Sequence, residues 1–521
     1  MRKRMIIFLC FFMVGLCLFA GGNKASSATG GAANTLTVAC LEGWYPAVSI
    51  NDNLPMWQEV EKRTGIHINW QANSDYDTAM QPVIASGSKL PDIMLIPPAW
   101  GSSGVYNLAR DGMIIQLDNL IAQYAPDLQK LLRDNPALKA MITAPDGKIY
   151  TVCDAPMFVN NMVVQNSLFI RQDWLDNLGL SVPVTIDDWH NVLVAFKNND
   201  PARTGRKDII PYAGISKVGN LDNLMAFGSA FGLPVGDTEW WYDNTGKVFH
   251  VYSSPQYRQF LTVMNQWYKE GLLDVELNRE EPNFQSLVST NTVGSFVHLS
   301  ERVAQYDGFV KSGGINTVKH VLVPPPAAPN GANPQILKRD PTWSHYGITR
   351  DCKDPALAMR WINFIYGSDE GVTMNEYGIE GLSFNRGSDG KPHFTDFVLK
   401  NPNGLDPYNA LRSLGASDTI LVRTPAQVYV DLNEGTPTIP FGEKLLPYRV
   451  EPFPAVMLSA DDQRVIDRLQ PDIKTYHDET RVKFLIGEIP LSNWDTYVQT
   501  LKSMGLDDVQ KIRQKQYDRT K

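Results

Sequence analysis

The alternation near the start of the chain constrains the fold more than any other feature. Leu36-Thr-Val-Ala-Cys40 reads as a strand, and a helix from Pro55 to Thr64 follows, closing at Gly65. Ile66-His-Ile-Asn-Trp70 alternates as a strand, Asp77 to Ser86 reads as a helix, and the apolar run Ile93 to Ile96 reads as a buried strand. Strand, helix, strand, helix, strand at this spacing predicts an α/β lobe with a mostly parallel sheet. Ligands of such sheets bind beyond the carboxyl ends of the strands. Trp44 and Trp100 follow two of those ends.

At 521 residues the chain exceeds the length at which a single core stops growing, so at least two lobes are expected. Arg2-Lys3-Arg4 precede the apolar run Met5 to Ala20, which is too short for a comfortable membrane span. Residues 1–20 are therefore read as a secretory signal, and the Gly/Ser/Ala/Thr-rich residues 21–34 as a flexible tether. Cys10 and Cys17 each follow a leucine, a poor context for a lipid anchor. The expected location is periplasmic or cell-surface.

The formal charge is −8, and removal of Arg2, Lys3 and Arg4 takes it to about −11. With no basic run in the chain, nucleic acid is not an expected partner. Cys40, Cys153 and Cys352 remain beyond the leader, odd in number and widely separated. They read as buried free thiols rather than a disulfide framework or a metal cluster, and no cofactor is expected.

The stretch 167–201 is the most structured in its punctuation. Leu168 to Ile170 reads as a strand, and a short helix from Asp173 to Leu178 stops at Gly179. Thr185 caps a second helix, with Asp187 and Asp188 opposing the positive helix terminus. Ile186, Trp189, Val192, Leu193 and Phe196 give that helix one apolar face. Further on, Pro211 to Ile215 and Val293 to Val297 read as strands and Pro255 to Gly271 as a long helix. Val321 to Pro329 is a strand running into a stiff proline-rich connection, Trp343 to Thr349 is strand-like, and Pro355 to Tyr366 is helical. The last third is mostly helical, notably Asp462 to Leu485 and Trp494 to Met504.

Ile170-Arg-Gln-Asp-Trp-Leu-Asp-Asn-Leu-Gly-Leu180, continued by Pro183, Thr185 and Trp189, resembles the extracellular solute-binding proteins of ABC importers. So do Ser86-Gly-Ser-Lys-Leu-Pro-Asp-Ile93, Gly378-Ile-Glu-Gly381, Phe484-Leu-Ile-Gly-Glu488 and Trp494-Asp-Thr-Tyr497. The group resembled is the carbohydrate-type one of LplA-like lipoproteins and alginate-oligosaccharide-binding proteins. The resemblance implies an α/β, two-lobed periplasmic-binding-protein fold (type II), with hinge crossings and a mostly helical C-terminal region. It makes 167–201 the first crossing and places residues 35–168 plus 325–388 in one lobe, and 169–324 plus 389–521 in the other. It implies a monomer that encloses a sugar or oligosaccharide between its lobes and hands it to membrane permease subunits.

Sugars present flat apolar faces ringed by hydroxyls, so a sugar site wants aromatic rings and directed polar groups. The loop positions that offer these are Trp44, Tyr45, Asp75, Trp100, Asn161, His298, Glu301, Trp343, His345 and Glu380. The loop of Trp100 and the stretch before His298 are similar to ligand-facing segments of maltose-binding relatives. Trp57, Trp174, Trp189, Trp267 and Trp361 lie on apolar helix faces and read as core. Arg171, Arg302 and Arg386 are the cations that an acidic sugar would call for.

Alginate-binding members carry an EF-hand-like calcium loop after the first crossing, and its counterpart here is Asp200-Pro-Ala-Arg-Thr-Gly-Arg-Lys-Asp-Ile209. Asp200 and Asp208 remain, Thr204 brings a hydroxyl and Arg206 a backbone carbonyl, but Ala202 and Ile209 bring no side-chain oxygen. Calcium wants six to eight oxygens. The loop is expected to be vestigial, with no metal. Two other functions stay open beside solute capture: a secreted carbohydrate-active enzyme (a lyase or glycosidase, the latter needing two facing carboxylates), and a peptide- or sensor-coupled binding protein.

Overall fold

A computed structural model describes residues 34–42, 45, 47–97, 101–154, 167–215, 223–236, 238–277, 279–328, 331–338, 344–417, 420–454 and 456–521. The strands that matter to the site are β1 (Thr35–Leu41), β2 (His67–Asn73), β3 (Ile93–Leu95), β4 (Thr151–Cys153), β5 (Ser167–Arg171) and β6 (Ile210–Tyr212). They are followed by β7 (Trp240–Tyr242), β8 (Val248–His250), β9 (Val293–His298), β10 (His320–Val323), β11 (Ile336–Leu337) and β12 (His345–Ile348).

The first sheet has the order β2-β1-β3-β12-β4. β1 is parallel to both β2 and β3, with Val38 opposite Trp70 on one side and Ile93 on the other. β12 runs antiparallel to β3 and β4. The second sheet, β10-β5-β9-β6, is parallel only between β6 and β9. The sheets are thus mixed rather than mostly parallel. β5 and β12 are the first strands the chain forms after passing between lobes, and both run against their neighbours in the sheets they join.

Each lobe has its own core. Trp57, Trp70 and Trp361 meet in the first, with ring centroids 4.7–6.2 Å apart. Trp174, Trp189 and Trp267 are buried in the second. Phe169, Phe284, Phe296 and Tyr306 fill its opposite face. The five tryptophans read as core are all buried.

The helix Ile186–Asn198 starts on a capping box. The Asp188 N–H donates to Thr185 Oγ1 (3.1 Å) and the Thr185 N–H to Asp188 Oδ2 (2.9 Å). Its Trp189, Val192, Leu193 and Phe196 face the second sheet's core, while Ile186 is only half-buried. Gly294 on β9 lets that helix approach, since a Cβ there would lie 2.5 Å from Phe196 Cδ2.

The division of the chain differs from expectation after 388. Phe394, Val398, Leu411, Ile420, Val428 and Leu432 belong to the first core, so residues 389–432 pack with the first lobe, not the second. The amphipathic helices there carry nothing in their period that says which lobe they will cover. Leu458, Ile466 and the helices Trp494–Ser503 and Leu506–Asp518 pack in the second core. The chain therefore crosses a third time between Leu432 and Leu458. The second and third crossings pair with each other: Ile336 and Leu337 of β11 lie parallel to Arg449 and Val450. Phe441 and Leu445 cover this pairing together with Val235.

Candidate functional site

Two strand edges flank the first crossing in the chain. Cys153 ends β4 beside His345, and Ser167, where the chain enters the second sheet, lies opposite His298 at the end of β9. The candidate site is bounded by these two edges. Trp44, Trp100, Asn161 and Trp343 lie outside the described residues.

On the first edge, the loop after β1 is held by Glu42. Its carboxylate accepts from the Ser49 hydroxyl (2.8 and 3.1 Å) and the Ile50 N–H (3.0 Å). The Asn51 side chain donates to Ala72 O and accepts from Ala72 N–H, fastening the same loop to β2. Tyr45 rides on this loop, half-buried. Asp75 is exposed just beyond β2, with its N–H donating to Asn73 Oδ1 and its side chain making no cap. Asp92 is structural, accepting from the Thr37 N–H at 2.8 Å.

His345 is turned inward. Its Nδ1 is 3.0 Å from Thr151 Oγ1, and burial pushes its pKa down to about 4, so it is neutral near pH 7. His298 is likewise enclosed, 3 % exposed, with its ring 4.9 Å from that of Tyr306 and its Nδ1 accepting from the Leu299 N–H. Both histidines sit at the expected strand ends, but they pack into the lobes. Beyond His298, Ser300 is buried and Glu301 half-buried; Thr438, from the third crossing, donates to Ser300 O at 3.1 Å.

Glu380 is not brought to either edge. It lies in an exposed turn of the first lobe, 3.6 Å from Arg386, which removes Arg386 as a free cation too. Arg171 is buried, donating to both oxygens of Asp173 and to Asn291 Oδ1 and stacking on Trp174. It is a strut of the second lobe. Trp240 and Trp241 are buried. Trp241, Tyr242 and Tyr517 stack in turn (4.8 and 4.5 Å), and Lys521 Nζ covers Tyr517 at 4.6 Å, so these rings screen one another beside a cavity of about 390 Å³.

In the loop after the first crossing, Asp200 accepts from the N–H groups of Thr204 (2.9 Å) and Gly205 (2.8 Å). These bonds hold its carboxyl below the usual range. Arg206 turns its guanidinium onto Asp208 and donates to Thr290 O (3.2 Å), and this pairing lowers the Asp208 pKa to about 2. The carboxylate oxygens that remain are thus engaged by the chain's own donors.

Sequence reasoning missed Glu42 and Asp154, both of which organise the edge without being aromatic or flanked by a recognisable pattern. Asp154 is buried at the end of β4 and accepts from the Val422 N–H at 2.7 Å. Only the position of each acid, immediately after a strand, marked them out.

Comparison with known proteins agrees with this geometry. Residues 50–372 match the family described as bacterial extracellular solute-binding protein. The chain is 29% identical to the fructooligosaccharide ABC transporter substrate-binding protein FusA of Streptococcus pneumoniae serotype 4, over 88% of this chain and 86% of that one. It is 24% identical to the polygalacturonan/rhamnogalacturonan-binding protein YtcQ of Bacillus subtilis, over 86% and 85%. Among solved structures, FusA in complex with kestose superposes with a TM-score of 0.76 at 27% identity, covering 94% of this chain and 99% of that one. The alginate-binding protein AlgQ2 without calcium ion gives 0.74 at 25% identity, covering 93% and 98%. With two separately cored α/β lobes and a family match over more than half its length, the chain belongs to the bacterial extracellular solute-binding proteins.

Proposed function

We propose that this protein is the capture component of an ABC importer and closes its lobes on a neutral oligosaccharide of the fructan type. The observation that carries the reading is the FusA likeness, which runs through both lobes and includes a structure holding kestose. Charge supports the neutral class. Residues 98–100 and 155–166, which follow β3 and β4, contain no charged residue, while Arg171 and Arg386 are engaged by Asp173 and Glu380 and Arg302 donates to Gln305 Oε1 (3.0 Å). A uronate ligand would need an uncommitted cation.

The protein works as an exported monomer, binds without turning its ligand over, and needs no calcium. Calorimetry on the chain lacking residues 1–34 tests this, with kestose, nystose and a galacturonate trimer as titrants. Binding of the fructans with unchanged sugar recovered afterwards is the expected result. Preference for the galacturonate, or appearance of hydrolysed product, would overturn it.

A further inference from the structure

Asp154 joins three parts of the chain at the place where the first lobe ends. Its N–H donates to Ser344 O (2.8 Å), one residue before β12, so the outgoing and returning crossings are bonded to each other there. Its carboxylate accepts from the Val422 N–H (2.7 Å), and Val422 heads the stretch that leads to the third crossing. The side chain is buried (6 % exposed), and its charge adds to the burial that keeps the Tyr346 and Tyr366 phenols un-ionised.

The segment it holds is under backbone strain. Leu421 has φ +49°, a left-handed conformation that residues other than glycine uncommonly adopt, and Ser417 just before it has φ +60°. Asn375 grips the same segment from the other side. Its side-chain amide donates to Ile420 O (2.9 Å) and Leu421 O (3.3 Å), and its backbone carbonyl accepts from the Ser417 N–H (2.7 Å). Strained residues persist only where the surroundings over-determine them, and they gather at clamps and switch regions. Interlobe rotation is absorbed by a few residues at element ends. The bonded set Asp154–Ser344–Val422 lies at the ends of β4 and β12, where the first sheet stops.

We propose that Asp154 is a positioning residue of the interlobe hinge: its carboxylate fastens the strained 420–422 segment to the outgoing and returning crossings, and so sets the open–closed balance without touching the ligand. The proposal rests on capture by lobe closure but not on the identity of the sugar.

The test uses nitroxide labels at K130C and K311C, two exposed sites on opposite lobes, read by double electron–electron resonance in the unliganded protein; Cys40, Cys153 and Cys352 are buried and stay unlabelled. D154A should broaden the interlobe distance distribution, and D154N, which keeps an acceptor for Val422 N–H, should restore it. The same order should hold for kestose affinity, with D154A about tenfold weaker. An unchanged distribution in folded D154A, or D154N behaving as D154A, overturns the proposal. Should D154A not fold, hydrogen exchange on the wild-type chain decides: peptides covering 420–424 should be protected without ligand, and exchange there at the intrinsic rate rejects the idea. Failure of kestose to bind would count against the ligand class alone, since the distances are read without it.

Discussion

Arg206 and Asp208 form a two-pronged ion pair inside the loop that follows the first crossing, with Nε donating to one carboxylate oxygen and Nη2 to the other. A guanidinium that also reaches Thr290 O does there what a divalent ion would do: it ties the loop to the turn before β9. Melting temperature and ligand affinity should therefore be the same in 1 mM calcium and in excess chelator. A calcium-induced rise of several degrees, or a calorimetric calcium isotherm, would remove this reading.

Acid should destabilise the protein through its buried histidines. Burial lowers the pKa of His250 to about 3 and of His345 to about 4, and it lowers His477 and His320 as well, the latter despite Asp307 beside it. In the unfolded chain these groups titrate near 6.5. Between about pH 6.5 and 4 the unfolded state binds protons that the folded state refuses, so stability falls as pH falls, by up to about 1.4 kcal/mol per pH unit for each such histidine. Urea midpoints at pH 7.5, 6.0 and 5.0 measure the slope; a flat profile would contradict it.

Removing the Glu42 carboxylate should loosen the loop of Tyr45 more than it weakens the fold. Two hydrogen bonds to a charged acceptor are lost in Glu42→Ala, and a tenfold drop in ligand affinity, about 1.4 kcal/mol, is expected. Titration calorimetry reads the affinity and calorimetric melting reads the fold. Equal affinity in the variant would show that the loop needs no such clamp.

Arg171 behaves in the opposite way. Buried against Trp174 with Asp173 and Asn291, it should cost about 3–5 kcal/mol when cut back to alanine, because Asp173 loses its partner. Ligand affinity of the folded fraction should not change. A selective loss of affinity would return it to the cleft.

Gly294→Ala should cost about 1–3 kcal/mol, since the new methyl meets the Phe196 ring and Pro211 O at 2.5–3.0 Å. Denaturant unfolding checks this directly, and a neutral substitution would mean that the helix yields.

What could be read from the residues was local. The cap at Thr185, the apolar face of its helix and the buried tryptophans all follow from spacing, because caps and periods act within one or two turns. Strand direction in the sheets did not follow, since it depends on which lobe the chain has just left. The inward turn of His298 and His345 was hidden for another reason. Successive strand residues point to opposite faces, so a position at a strand end does not say which way its ring lies. Residues 389–432 show the same limit at larger scale: their apolar faces announce burial but not the partner.

The seat of β12 between β3 and β4 has a consequence for synthesis. Thr151–Cys153 has its first-sheet neighbour only once His345–Ile348 has been made, and the intervening chain belongs to the other lobe. The first sheet therefore cannot close while its own amino-terminal half emerges from the ribosome. Long-range pairing of this kind is slow. Completion of the first lobe's sheet therefore waits on the second lobe's strands, which are made between β4 and β12.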